Sequence, residues 1–327
     1  MKKKVLILVF LCLIPLIALL EFPLAQAYYG YAKYPAVGAH KLGVILVKFP
    51  GTENGFTPSY VDNLVFEEVN NFFKEASYGQ FWLEGKTTST WYELTREENY
   101  YAENFFGLNK DDELIQETIN LASSEIYPND YDQLLIIMPL PPIGFEGYYD
   151  PPSMSVAVSP PIWNTVAHEL AHGLGPGTGL VDLYRYSVVN DWSLMGGVEG
   201  FCAWEKMLLG WIPTSRTQTV TIGESTTSWV DPLEINIDSS INVVKIPVSD
   251  YQFLMVEVRK KIGYDENIAP GVLISFAGEG MGNFEASEVP EAIFSLAPSR
   301  ERERRGILRF KLMMREKIIR SHKRTFI

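Results

Sequence analysis

Cysteine is almost missing from this chain of 327 residues. There are two, and Cys12 lies in a leader-like segment, which leaves Cys202 alone. One thiol cannot make an intramolecular disulfide, so the fold rests on its apolar core. Cys202 stands between Phe201 and Ala203 with no histidine nearby, and reads as a buried structural thiol. Positive charge is also short: 28 Lys and Arg face 40 Asp and Glu, a net −12, which argues against nucleic acid as the main partner. The imbalance is uneven. Residues 1–27 carry +2 and residues 300–327 carry +8, which leaves −22 on the body between them. No apolar run beyond residue 20 approaches membrane-spanning length. Internal repeats, low-complexity tracts, a phosphate-cradling Gly-rich loop and a G-x-S-x-G elbow are absent. Histidine is rare, with only His40, His168, His172 and His322.

Apolar residues are plentiful at 46%, enough for a sizeable core, and global disorder is excluded. The first 27 residues have the layout of an export signal. Lys2, Lys3 and Lys4 precede an apolar run from Val5 to Leu20, and Ala25-Gln26-Ala27 offers small residues for cleavage ahead of Tyr28. The run is short for a spanning helix and contains Pro15, so a removed leader and a secreted protein are expected.

Leu42 to Phe49 (LGVILVKF) is an apolar run of strand length, as in a strand covered on both faces. In residues 61–76, Val61, Leu64, Val65, Val69, Phe72, Phe73 and Ala76 recur at helical spacing, and Gly79 ends the pattern. Residues 80–95 are rich in aromatics and Thr and read as extended. Asp111, Asp112 and Glu113 open a second helix, where their charge suits the N-terminal dipole. They offer oxygens of the kind calcium takes, but no specific calcium motif accompanies them, so a structural Ca2+ ion has no firm support. Leu134 to Leu140 and Ser153 to Ser159 read as two more strands. Strand, helix, strand, helix, strand is an α/β alternation. Beyond residue 213 the texture changes to Thr, Val and Ile runs at 216–221, 242–248 and 253–258, a mostly β module.

Residues 161–175 (PIWNTVAHELAHGLG) carry the chemistry. Pro161 suits the first turn of a helix, and Gly173 and Gly175 suit its end. His168 and His172, four apart, project from one helix face and can share a tetrahedral zinc. Glu169 lies about 100° around the helix, placed to take a proton from zinc-bound water. Gly175 follows three residues after His172. Asp191-Trp192-Ser193-Leu194-Met195-Gly196-Gly197 then looks like a Met-turn, with Met195 beneath the zinc site.

On these residues the chain resembles the immune inhibitor A-like secreted zinc metallopeptidases, a metzincin-type family. Further segments share the likeness. Ala76-Ser77-Tyr78-Gly79-Gln80-Phe81 resembles the family's S-Y-G-Q-F junction, and Leu180-Val181-Asp182-Leu183-Tyr184 its Leu-Pro-Asp-Leu-Tyr segment. Ala203-Trp204-Glu205-Lys206 through Leu209-Gly210-Trp211 resembles its A-W-x-K…L-G-W helix end. Val256-Glu257-Val258-Arg259 with Gly263-Tyr264-Asp265 resembles its E-x-R…G-Y-D stretch. The resemblance covers about residues 40–277. It implies a third ligand six residues after the second histidine, but that position is Thr178, a poor zinc ligand. Residues 175–179 (GPGTG) look like a four-residue insertion that displaces the acidic position to Asp182. Asp182 is therefore expected as the third ligand, with Asp191, Glu199 and Glu205 as competitors. His40 is expected on the surface ahead of the first strand.

Residues 300–327 form a basic tail. Ile307, Phe310, Met314 and Ile318 fit one face of a helix that would meet an anionic membrane, but a poorly ordered charged tail suits the composition better. The expected layout is a signal peptide at 1–27, a twisted, mostly parallel α/β peptidase domain at 28–213, a β-rich region at 214–290 and a tail at 291–327. The expected activity is zinc-dependent hydrolysis of peptide bonds in proteins or peptides, with Glu169 as general base and His168, His172 and Asp182 on one Zn2+ ion. The competing class is a secreted binding protein on the same scaffold, without catalysis.

Overall fold

A computed structural model describes residues 36–102, 110–139, 147–150, 155–158, 161–175, 179–180, 182–183, 192–221, 227–236, 240–247, 252–278 and 308–311. Strand β1 (Gly38–Lys48) is the spine of the first sheet. Its residues Leu42 and Val44 to Val47 have no exposed surface, as the unbroken apolar run requires of a strand covered on both faces. Strands β2 (Phe81–Thr87), β3 (Tyr92–Glu93) and β4 (Gln133–Ile137) all pair parallel with β1. Outside β4 come β6 (Ser155–Val158), parallel, and then β5 (Gly147–Asp150), antiparallel at the edge. The order is β2-β1-β4-β6-β5. The chain is thus a mixed α/β fold with a largely parallel sheet, and the reversed edge strand β5 is an element the sequence pattern did not disclose.

The long amphipathic stretch folds as one continuous helix in three pieces: α1 (Pro58–Asn63), a π-helical stretch (Leu64–Val69) and α2 (Asn70–Ala76). Thr57 caps its start by accepting from Tyr60 N at 3.1 Å, and Pro58 fills the first position. Such a cap is worth about 1 kcal/mol. Val65, Val69, Phe72 and Phe73 are completely buried, each worth roughly 1.5–3 kcal/mol relative to exposure. Tyr78 and Gly79 leave the helix with positive φ and turn the chain into β2. Two more helices follow: α4 (Lys110–Ala122), which covers the expected second helix, lies on β1 and β3, and α3 (Glu98–Ala102) packs against α4. Helix α5 (Trp163–His172) carries the histidines, and α6 (Ala203–Leu208) follows. Pro161 sits before the extended N-cap Ile162, so it precedes the first turn instead of forming it.

The β-rich region is a four-stranded sheet in the order β11-β10-β9-β7, with β7 (Thr217–Thr219), β9 (Val243–Pro247), β10 (Gln252–Arg259) and β11 (Gly271–Gly278). It is not a loose appendage. Ala203, Met207 and Ile212 pack with Leu233, Val243, Phe253 and Met255 in one buried cluster. Among the described residues no helix is long and apolar enough to cross a membrane.

Two expectations need correction. His40 is the third residue of β1 and only 1% exposed, held by Nε2···Gln133 Oε1 at 3.1 Å. Parallel pairing with Leu83 of β2 extends the sheet to the start of β1 and covers it. Within the basic tail, Leu308–Lys311 forms β12, antiparallel to β8 (Thr227–Val230), so Phe310 belongs to a strand and not to a helix face. The other tail residues and the leader at 1–27 lie outside the described residues.

Candidate metal centre

Helix α5 turns its apolar face inward, with Val166, Ala167, Leu170 and Ala171 buried, and packs on β5, β6 and the π-helical stretch. Its other face presents His168 and His172, one turn apart, with ring centroids 4.9 Å apart. Each ring is anchored from behind. His168 Nδ1 donates to Leu194 O at 2.8 Å, and His172 Nδ1 donates to Leu180 O at 2.7 Å. A carbonyl oxygen only accepts, so both protons reside on Nδ1 and both Nε2 atoms are left to face forward.

What they face is Asp182. Its Oδ1 stands 3.1 Å from His168 Nε2 and 3.3 Å from His172 Nε2. Two neutral Nε2 lone pairs and an ionised carboxylate oxygen repel unless protons or a cation sit between them. Burial lowers the His168 pKa, but Asp182 and Leu194 O outweigh it and raise it overall. The spacing also fits a metal: two ligand atoms about 2.0–2.1 Å from a tetrahedral zinc stand about 3.3–3.4 Å apart. The donor set, two imidazoles and one carboxylate, is one that zinc accepts.

Glu169 is the other carboxylate within reach. Ligand-capable atoms of His168, Glu169 and His172 lie within 4.8 Å of one another. Glu169 projects about 100° away from His168 around the helix. Two carboxylates, Asp182 and Glu169, thus stand beside the pair of imidazoles. Burial pushes the Glu169 carboxyl above the usual glutamate range; the two imidazoles pull it down and Asp182 pushes it up.

Before Asp182 the chain is back at the end of α5, where Leu180 N donates to Leu174 O at 3.0 Å. Gly179 has φ +92 and presses on the end of α5, where a Cβ would stand 1.6 Å from His172 O. Only glycine fits there. From there Leu180 O meets His172 Nδ1, and Asp182 Oδ1 meets both rings. Thr178 and Asp191 lie outside the described residues.

The remaining competitors are occupied elsewhere. Glu199 accepts from Asn267 Nδ2 at 2.7 Å. Glu205, 4% exposed, accepts from Ser193 Oγ at 2.5 Å and from Cys202 N at 2.8 Å, capping α6. Met195 is fully buried in the turn Leu194–Gly196, and its carbonyl accepts from Leu183 N at 2.7 Å. That turn therefore holds His168 through Leu194 O and holds the residue after Asp182 through Met195 O. The sequence gives no sign of these two carbonyls, because backbone groups leave no side-chain trace. Within the turn read from Trp192 to Gly197, Ser193 Oγ accepts from Met195 N at 3.0 Å.

No family model matches this chain. No curated protein matches it. Among solved structures, wild-type OgpA from Akkermansia muciniphila aligns over 86% of this chain and 86% of its own at 14% identity, with a TM-score of 0.35. A chaperone–substrate complex aligns over 46% of this chain at 13% identity, with a TM-score of 0.27, and this chain spans 25% of that one. At those values neither alignment bears on function.

Proposed function

We propose that this chain is a secreted, zinc-dependent metalloendopeptidase of the metzincin type, related to the immune inhibitor A-like peptidases. One observation carries the reading: two Nδ1-anchored imidazoles aim their Nε2 atoms at one carboxylate oxygen, at 3.1 and 3.3 Å. His168, His172 and Asp182 would hold the ion, leaving one position open. A zinc ion bound there supplies Lewis-acid polarisation of the scissile carbonyl and acidifies the attacking water. Glu169 takes the water proton at its carboxylate and returns it to the leaving amine. Its raised pKa suits both halves of that transfer. The Leu180 and Leu194 carbonyls hold the rings so that neither Nε2 is diverted.

A second feature supports a protein substrate. Strand β5 is the sheet edge on which α5 packs, and among the described strands it pairs only with β6. An exposed edge offers backbone groups to an extended peptide. Residues 1–27 supply the export signal and are removed after Ala27.

The test is hydrolysis of unfolded casein by the zinc-loaded mature protein, with a chelator control. Chelator-sensitive cleavage is the expected result. Zinc binding without cleavage would favour the non-catalytic binding protein, and no zinc binding would end the reading.

A further inference from the structure

The E-x-R…G-Y-D stretch in the β-rich region has no part in the chemistry above, yet its arginine is fully enclosed. The Arg259 side chain has no exposed surface. Its Nε donates to Glu234 Oε1 at 2.8 Å, its Nη2 to Asp265 Oδ2 at 3.0 Å, and its Nη1 to Glu257 Oε1 at 3.1 Å. Nη1 also donates to a backbone carbonyl, Trp192 O, at 3.1 Å. That carbonyl belongs to the first described residue of the Met195 turn, two positions before Leu194, whose own carbonyl orients His168. Trp192 also packs with Ile268 and Leu273, and other bonds hold the rest of the turn. Ser193 is held by Glu205, and Leu194 N donates to Gly200 O at 2.5 Å. Gly200 in turn is packed against Asp265, where a Cβ would stand 1.7 Å from Oδ1. Glu257 uses its second oxygen to accept from Ala203 N at 2.7 Å, at the start of α6. The motif thus grips both ends of the 192–203 segment.

We propose that Arg259 is a positioning residue for the metal centre, acting through Trp192 O and the Met195 turn to hold His168 Nδ1 on Leu194 O. The β-rich region then completes the site instead of accompanying it. The inference rests on the zinc-centre reading. It assigns to residue 259 the orienting role that supporting groups play one step removed from a metal, where loss of a partner lowers affinity about 10–100-fold.

Arg259→Lys keeps the positive charge among the three carboxylates but loses the planar fork that reaches Trp192 O. Ile246→Ala is the control: it removes volume from an apolar cluster of the β sheet that does not include Trp192 or Arg259. Two quantities are read on 15N-histidine-labelled protein, which has only four histidines to assign. They are zinc affinity by chelator competition, and exchange of the His168 Nδ1 proton in the metal-free protein. Arg259→Lys should weaken zinc about 10–100-fold and speed that exchange, while Ile246→Ala lowers thermal stability and changes neither. Wild-type values for Arg259→Lys would overturn the inference. So would an equal loss in Ile246→Ala, which would mean a merely structural role. If Arg259→Lys does not fold, Glu234→Gln decides: it loosens the fork at Nε, and a smaller loss in the same direction is expected, whereas an unchanged affinity overturns the inference. If the wild type binds no zinc, the functional reading fails by itself, and the proton exchange alone tests Arg259.

Discussion

Helix α5 and strand β10 both bury charged side chains, and they do so in opposite ways. On β10, Glu257 and Arg259 meet each other and their neighbours Glu234 and Asp265 in complementary pairs at 2.8–3.1 Å. On α5, the two Nε2 atoms and the Asp182 oxygen converge as groups that all have electron pairs to offer. The first arrangement carries its cation within the protein, although Asp265 Oδ1 is buried with no hydrogen-bond partner. The second needs a proton, as in the His168 Nε2···Asp182 Oδ1 hydrogen bond, or a cation between its members. Perturbed groups accompany both, so a shifted pKa does not separate a structural cluster from a working one. The sign and direction of the lone pairs do.

The largest expected effect breaks the comparison on the helix side. Glu169→Gln should leave the fold and zinc binding in place while hydrolysis drops about 10²–10⁴-fold or more, because the water loses its proton acceptor. Since burial raises the Glu169 pKa and so penalises its ionised form in the fold, a neutral amide should not lower the melting temperature. Near wild-type cleavage by this variant would remove Glu169 from the mechanism. The matching deletion on the strand side should show first in stability. Arg259→Met leaves Glu234, Glu257 and Asp265 without their cation, at a cost of about 3–5 kcal/mol. Denaturant melts would register it, and a stable Arg259→Met protein would mean the carboxylates accept protons instead.

The third prediction sharpens the centre itself. At zinc 100 times its dissociation constant, the wild type should gain about 2.7 kcal/mol of stability. If Asp182→Ala weakens zinc about a hundredfold, the same zinc concentration should leave about 0.4 kcal/mol. Calorimetric melts with and without zinc measure both. An undiminished gain in Asp182→Ala would hand the third position to Glu169.

How much of this could be read from the residues depends on whether a feature is written in side chains. His168, Glu169 and His172 were legible because helical periodicity and a spaced pair of imidazoles coincide. The buried β1 and the long helix were legible from their apolar runs. The approach of Asp182 to both imidazoles was suggested only by the family-like Leu180 to Tyr184 segment, since no local pattern announces the bond from Leu180 N to Leu174 O. The carbonyls of Leu180, Leu194 and Trp192 were invisible. Strand β5 was missed because Gly147-Tyr148-Tyr149-Asp150 has no apolar alternation, and at a sheet edge it needs none. His40 was misread because its burial comes from β2 and Gln133, both remote in sequence. The β8–β12 pairing joins residues about 80 apart, and no local pattern announces it.

The smallest expected effect concerns carboxylates of a third kind, partly exposed and held by neutral donors. Burial pushes Glu117 up, but hydrogen bonds from Tyr101 Oη and from Thr95 N at 2.6 Å outweigh it, and its pKa ends below the ordinary 4.5. Burial likewise raises Glu125, and Ser89 N and Tyr92 Oη, both at 2.8 Å, bring it below 4.5. A carboxyl with a lowered folded pKa contributes stability that is present above its unfolded value and lost as pH falls through the folded one. Both contributions should therefore be intact at neutral pH and disappear below about pH 4.5. Solvent screens both groups, so each is worth only about a few tenths of a kcal/mol. Tyr92→Phe and Tyr101→Phe should each flatten the acid limb of a stability-against-pH curve slightly, without changing zinc binding at neutral pH. An acid limb unchanged in the double variant would mean that the backbone donors from Ser89 and Thr95 suffice. These carboxylates would then differ from those around Arg259 in tolerating the loss of a partner, because water can replace it.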